Sequence, residues 1–156
     1  MSMQDIMEYY GEVTVRHKTK KSTTLIKTHN AGTDDLFKLI CQSLAGYSLD
    51  NRVPTYLTLV DTNGIVLISP EYIPLTGKSY QKDDVGWYVR FNAEIEFTQL
   101  RTNLSSESAA KFQICSGDTD KTVLAEVNID SQELDISEGV IILVEWKMYV
   151  KNKVGA

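Results

Sequence analysis

Apolar and polar residues alternate along two long stretches of this chain. In residues 86–100, and again in residues 139–151, every second side chain is apolar over most of the stretch. A repeat of two gives an extended chain one buried side and one wet side, whereas a helix repeats about every 3.6 residues. The alternation therefore predicts two long amphipathic strands, with both tryptophans, Trp87 and Trp146, on their buried faces.

Shorter apolar runs separated by turn residues predict three hairpins. Asn63-Gly64 marks the second of them, since Asn-Gly between apolar runs is a strong signal for a tight hairpin turn. The paired arms are 12–16 with 23–29, 55–60 with 65–69, and 111–116 with 122–129. Residues 70–85 contain two prolines and a glycine, and we expect a long irregular loop there.

One segment has helical spacing. Thr33 can cap a helix, Asp34 and Asp35 fill a first turn that favours acidic residues, and Gly46 suits the position after the end. The apolar stripe between them consists of Leu36, Phe37, Leu39, Ile40, Cys41, Leu44 and Ala45.

These elements together predict a mainly β chain. We expect an antiparallel β-sandwich of about eight strands with one α-helix, about 33–45, packed on it, because strands and helices do not alternate along the sequence. The predicted organisation is an N-terminal arm at 1–10 followed by a single sandwich domain at 11–156.

Composition narrows the function classes. The 156 residues are 42% hydrophobic and 24% charged, with a net charge of −5, so binding of nucleic acid over the whole surface is disfavoured. No apolar run approaches the roughly 20 residues of a membrane span, and the N-terminus has no secretory pattern. Cys41 and Cys115 are expected to be reduced and buried.

Catalytic motifs are missing from the sequence. His17 and His29 stand apart from cysteine or carboxylate at metal-ligand spacing, and there is no G-x-S-x-G turn. Glu94 and Glu96 fall two strand positions apart, about 7 Å, which resembles the spacing of an inverting glycosidase. They belong to the polar face of their strand, where solvated carboxylates are expected, so we predict no catalytic residues and no enzyme activity.

No cofactor and no metal site is predicted either. Asp118, Asp120 and Asp130 could supply oxygen ligands to calcium, but they do not follow a calcium-loop pattern. A solvated hairpin turn is therefore the preferred interpretation.

Contacts with a partner are the remaining expectation. The densest positive cluster, at 16–21, suits an acidic partner surface, nucleic-acid phosphates or a solvated hairpin tip whose lysines discourage edge pairing. The solvated tip is preferred over contact with nucleic acid. Tyrosines spread over loops suit interfaces. The predicted partner-binding residues, in the arm, this hairpin and the 70–85 loop, are Ile6, Met7, Tyr9, Tyr10, Lys18, Lys20, Lys21, Tyr72, Ile73 and Tyr80.

Three segments together resemble small virion structural proteins of tailed bacteriophages, particularly crAss-like gut phages. They are HNAGTDDLFKLICQSLAG, VPTYLTLVDTNG and GVIILVEWKMYVKN, in this order. The resemblance implies an auxiliary or decorating capsid protein, or a head-fibre component, with a neck, tail or baseplate subunit as the alternative. It also implies a virion location after assembly in the bacterial cytoplasm. Expected partners are other virion proteins or further copies of this chain, without a membrane.

A carbohydrate-binding β-sandwich is the rival from another class. Exposed tyrosines around residues 72–88 would serve it, and an exposed aromatic platform on a concave face would favour it over the assembly role.

Overall fold

The computed structural model describes residues 7–18, 23–30, 33–100, 110–129 and 141–152. Within these ranges only the backbone is described for residues 7–10, 17–18, 23–30, 97 and 150–152.

The described residues form two antiparallel sheets. A five-stranded sheet has the order β2-β1-β9-β6-β5, and a four-stranded sheet has the order β4-β3-β7-β8. The strands are β1 Met7–Lys18, β2 Thr23–Asn30, β3 Pro54–Asp61, β4 Ile73–Pro74, β5 Gly77–Lys82, β6 Trp87–Glu96, β7 Ala110–Ser116, β8 Val123–Ile129 and β9 Ile141–Asn152.

The predicted mainly β sandwich is confirmed, and the described residues contain one α-helix, as expected. Inward side chains of both sheets form one core, in which alternate residues of β6 (Phe91, Ala93 and Ile95) pack with alternate residues of β9. Trp146, at 1% exposure, is the largest of the buried side chains. The period-two pattern found these positions because each sheet has one face turned to the other.

The helix α1, Asp34–Leu44, begins and ends as its local sequence predicts. The Thr33 hydroxyl accepts a hydrogen bond from the amide of Leu36 at 3.3 Å, and Gly46 takes a φ of +84°. The same hydroxyl lies 3.0 Å from the carbonyl oxygens of Val123 and Leu124, which joins the start of α1 to β8. Among the described residues, no helix is long and apolar enough to cross a membrane.

Several predicted boundaries were wrong. The 70–85 segment holds β4 and β5, because residues 77–82 find a pairing partner in β6 despite the glycine and prolines around them. The second arm of the Asn63-Gly64 hairpin is reduced to single bridges, Val60 with Val66 and Ile68 with Leu100. β1 starts at Met7, so the backbone of residues 7–10 of the predicted arm pairs with β9.

Two burial predictions also need correction. Trp87 is 57% exposed, while its neighbour Tyr88 is buried on the opposite face. Trp87 shares a face with Phe91, but it stands at the start of β6, where the covering layer no longer reaches. Cys41 is exposed because it lies on the side of α1 turned away from the sheets, whereas Cys115 is buried as predicted.

Candidate binding surface

An exposed aromatic pair, Tyr80 and Trp87, stands on the core-side face of β5 and β6 where the covering layer ends. Exposure along this face of β6 rises from the buried Phe91 to Val89 at 39% and Trp87 at 57%. Tyr80 on β5 is the register partner of Val89 and is 78% exposed. The rings of the aromatic pair are 6.3 Å apart with planes tilted by 37°, a separation at which aromatic rings attract each other.

The turn between β5 and β6 is fixed by Asp83. One carboxylate oxygen accepts hydrogen bonds from the amides of Val85 at 2.8 Å and Gly86 at 3.2 Å. The other oxygen accepts a hydrogen bond from the hydroxyl of Tyr149 on β9 at 2.6 Å. This last bond, with the amide bonds, lowers the pKa of Asp83 below its usual value. The aromatic pair is therefore attached to a turn that is tied to the centre of the sheet.

On the opposite face of the same strands, Tyr88 and Tyr149 form a buried ring pair with centroids 5.1 Å apart. The Tyr88 hydroxyl donates to the Gln81 side chain at 2.9 Å, and the Lys147 ammonium lies 5.0 Å from the Tyr88 ring centre. Burial, followed by the hydrogen bond to Asp83, raises the pKa of Tyr149. This Tyr88–Tyr149 contact makes the start of β6 a rigid part of the sheet.

Next to the aromatic pair, an apolar groove of about 440 Å³ separates α1 from the five-stranded sheet. Side chains of β6 and β9 form its floor, while α1 and the segment leading into β3 form its walls. Its lining comprises Leu36, Leu39, Ile40, Ser43, Leu49, Val53, Pro54, Lys78, Val89, Phe91 and Met148. Ser43 and Lys78 are the two polar side chains in this set.

A polar cleft of about 450 Å³ lies on the outer face of the five-stranded sheet. Glu145 of β9 is its central strand position, with Thr14 and Asn92 as register partners on either side. Arg16, Thr76 and Glu94 also line it. The mixture of hydroxyl, amide and charged groups suits polar ligands.

Of the predicted contact residues, Tyr80 is exposed as required, but Ile73 is not. Ile73 is 5% exposed and belongs to the core, because β4 pairs with β3 and turns this side chain inward. Tyr72 is half-buried, 6.0 Å from the ring of Tyr56, with Lys121 over both rings. Burial raises the pKa of the Tyr72 hydroxyl. Tyr72 therefore contributes to packing within the chain.

The other predicted contacts are beyond what the structure describes. Ile6, Lys20 and Lys21 lie outside the described residues, and for Met7, Tyr9, Tyr10 and Lys18 the description is limited to the backbone of β1.

The described acidic residues considered for catalysis and for calcium binding lie in two separate places, the outer face of β6 and the β7–β8 turn. Glu94 and Glu96 are both exposed on the outer face of β6. Asp118 accepts a hydrogen bond from the Ser116 hydroxyl at 2.6 Å, within the β7–β8 turn, and Asp130 lies outside the described residues. In the described part of the chain, no group of three or more His, Cys, Asp or Glu side chains is placed to hold a metal ion.

Sequence reasoning missed Trp87, Val89 and the apolar groove. The alternation correctly placed both side chains on the core-side face of β6. It could not indicate where along that face the cover ends, since that depends on where α1 and the other sheet lie. A usable signal was the Lys78-Ser-Tyr80-Gln-Lys82 sequence, which alternates and places lysines on both sides of Tyr80 on one face.

Comparison with known proteins finds no matching family model, no matching curated protein and no matching solved structure.

Proposed function

We propose that this chain is a non-enzymatic structural component of a bacteriophage particle that binds neighbouring virion subunits. An auxiliary or decorating capsid protein is the preferred role, and a neck, tail or baseplate subunit is the alternative. The assignment to a phage particle is supported by the resemblance of three sequence segments to small virion proteins. The exposed aromatic pair is the observation that carries the binding role.

The aromatic pair has the properties of an interface anchor. Tyr and Trp bring a large contact area with few rotatable bonds, and they are enriched among the residues that dominate binding energy. Val85 and Val89 are also exposed, so the β5–β6 hairpin carries further apolar surface besides the aromatic pair. A partner that covered this surface would remove apolar area from water, which favours association.

The edge of β5 itself is a poor place for pairing with another strand. Lys78 and Lys82 stand at both ends of the strand, and lysines on an edge oppose addition of a further strand. We therefore place the contact on the face that carries the aromatic pair. The lysines beside it would suit an acidic neighbour, and this chain is itself acidic with a net charge of −5.

The test combines light scattering of the purified protein with co-sedimentation on particles of the phage that encodes it. The test variant is Tyr80→Ser with Trp87→Ser. Ile65→Ser is the matched control, since Ile65 is also an exposed apolar residue but lies beside the Gly64 turn. We expect wild type and control to form an oligomer or bind particles, and the double variant to lose both with an unchanged circular dichroism spectrum.

Two results would contradict the assembly role. One is a wild-type monomer that does not sediment with particles. The other is a double variant that assembles as well as wild type.

A carbohydrate-binding module is the second candidate, because the aromatic pair is an exposed platform of the kind that sugar rings stack on. The polar cleft offers hydrogen-bonding groups on the other face of the sheet. Affinity electrophoresis in gels containing soluble polysaccharides distinguishes this candidate. Retardation of wild type that is lost in the double variant, together with absence of binding to particles, would favour it.

A further inference from the structure

The apolar groove has the size and chemistry of a site for a small ligand. Its volume of about 440 Å³ falls within the range of ligand pockets, roughly 300–1,000 Å³. Val89, Phe91 and Met148 form the floor, and Ile40 with Ser43 of α1 forms one wall. α1 buries Leu36 and Leu39 but leaves Ile40 only half-buried, so the apolar core is open to solvent on this side.

The lining favours an occupant without backbone polar groups. A peptide brings an N–H and a C=O with nearly every residue, and each needs a partner when it is buried. Among the described residues that line it, the groove supplies two polar side-chain groups, the Ser43 hydroxyl and the Lys78 ammonium. An alkyl chain has no such requirement, and its transfer from water into an apolar groove is favourable along its whole length.

The ammonium of Lys78 favours a ligand with a negative charge at one end. It is the register partner of Phe91 at the edge of the groove, and it is exposed. Within the described part of the chain it makes no ion pair. Lys82, four strand positions away, lies on the same face of β5. A negative head group therefore fits this end of the groove, and a second copy of this chain placed edge to edge would bring like charges together.

We propose that the apolar groove binds a free medium-chain alkyl carboxylate. The alkyl chain of the ligand lies between α1 and the floor formed by Val89, Phe91 and Met148, and the carboxylate of the ligand pairs with the Lys78 ammonium. This inference does not depend on the aromatic pair, although Val89 and Lys78 border both the groove and the proposed assembly surface.

The first experiment is calorimetric titration with hexanoate, octanoate, decanoate and dodecanoate below their micelle concentrations. Each added methylene should tighten binding about fourfold, from about 0.8 kcal/mol per buried CH₂, until the chain fills the groove. Decanol and decylammonium of the same length should bind at least tenfold more weakly than decanoate. Lys78→Ala should abolish this preference, while Lys111→Ala, on the other sheet, should keep it.

The second experiment blocks the groove. Ser43 is exposed and lines the groove, so Ser43→Phe adds bulk there without burying a charge. Cys41→Phe is the matched control, because Cys41 is an exposed residue of the same helix that does not line the groove. Decanoate binding should be lost in the first variant and kept in the second.

Three outcomes with the free ligands would overturn the proposal. They are affinity independent of chain length, decanoate binding that survives Ser43→Phe, and decylammonium binding as tightly as decanoate. Binding to anionic phospholipid vesicles without binding of the free carboxylates would assign the groove to a membrane lipid and also overturn it.

Discussion

The two tryptophans should differ sharply in their contribution to stability, because one is buried and the other stands beyond the cover of the core. Truncation of a fully buried Trp typically costs about 3–5 kcal/mol. Trp146, at 1% exposure, meets that description, and Trp146→Ala should lower the free energy of unfolding by this amount. More than half of the Trp87 side chain remains in water. Trp87→Ala should therefore cost about 1–2 kcal/mol, which includes the contact with Tyr80, about 0.5–1.5 kcal/mol.

Urea unfolding followed by far-UV circular dichroism measures both values. A total stability of about 5–15 kcal/mol is typical of single domains, so Trp146→Ala could prevent folding. The variants Trp146→Phe and Trp87→Phe then provide the comparison by fluorescence. The Trp146→Phe variant, in which Trp87 emits, should show red-shifted emission that acrylamide quenches readily. The Trp87→Phe variant, in which Trp146 emits, should emit at shorter wavelength and resist quenching.

A cost of more than about 3 kcal/mol for Trp87→Ala, the value expected for a covered side chain, would contradict the exposed position of Trp87. Shielding of Trp87 from acrylamide in a solution where the protein is monomeric would also contradict its exposed position. Either result would show that the aromatic pair belongs to the core, and it would remove the surface on which the proposed function depends.

Four further outcomes are expected. Cys41 should react promptly with a thiol reagent, whereas Cys115 should react only on unfolding, since burial raises the pKa of its thiol to about 11. Asp83→Asn should lower the thermal midpoint at pH 7. Because the folded-state pKa of Asp83 is lowered, its stabilisation is complete above the unfolded value of about 3.9 and is lost as the pH falls through the folded value, so the difference from wild type should shrink in acid. Gly64→Ala should lower the free energy of unfolding in urea by about 1 kcal/mol, because the φ of +82° is unfavourable for alanine. The cost should be no larger, since a Cβ at this position would meet no other atom. Glu94→Gln should leave sedimentation with phage particles unchanged, and loss of this sedimentation with an intact fold would contradict the proposed structural role.

Local signals predicted much of this fold. Thr33, the two aspartates after it and Gly46 define α1 because caps and dipole effects act within a few residues of a helix end. The hairpin of β7 and β8 was found because both arms and the turn lie in one short segment. The alternation found β6 and β9, since burial of one sheet face imposes it directly.

The features that the sequence did not predict depend on contacts between distant parts of the chain. β5 was hidden by the prolines and Gly77 around it, and it exists because β6 provides a partner for its backbone. Ile73 was expected at a surface, yet pairing of β4 with β3 turns it into the core. The apolar groove depends on how far α1 lies from the five-stranded sheet, a distance that no short sequence pattern encodes.

The two faces at the start of β6 show why the exposed aromatic residues suggest binding and not incomplete packing. On the outer face, Tyr88 and Tyr149 are buried together, and the Asp83 and Gln81 side chains accept their hydrogen bonds. On the inner face of the same strands, Trp87 remains exposed beside Tyr80. Because one rigid hairpin holds both faces, this exposure does not come from a frayed strand end. A surface that is already ordered loses little conformational entropy when a partner covers it, so more of the buried apolar area appears as affinity.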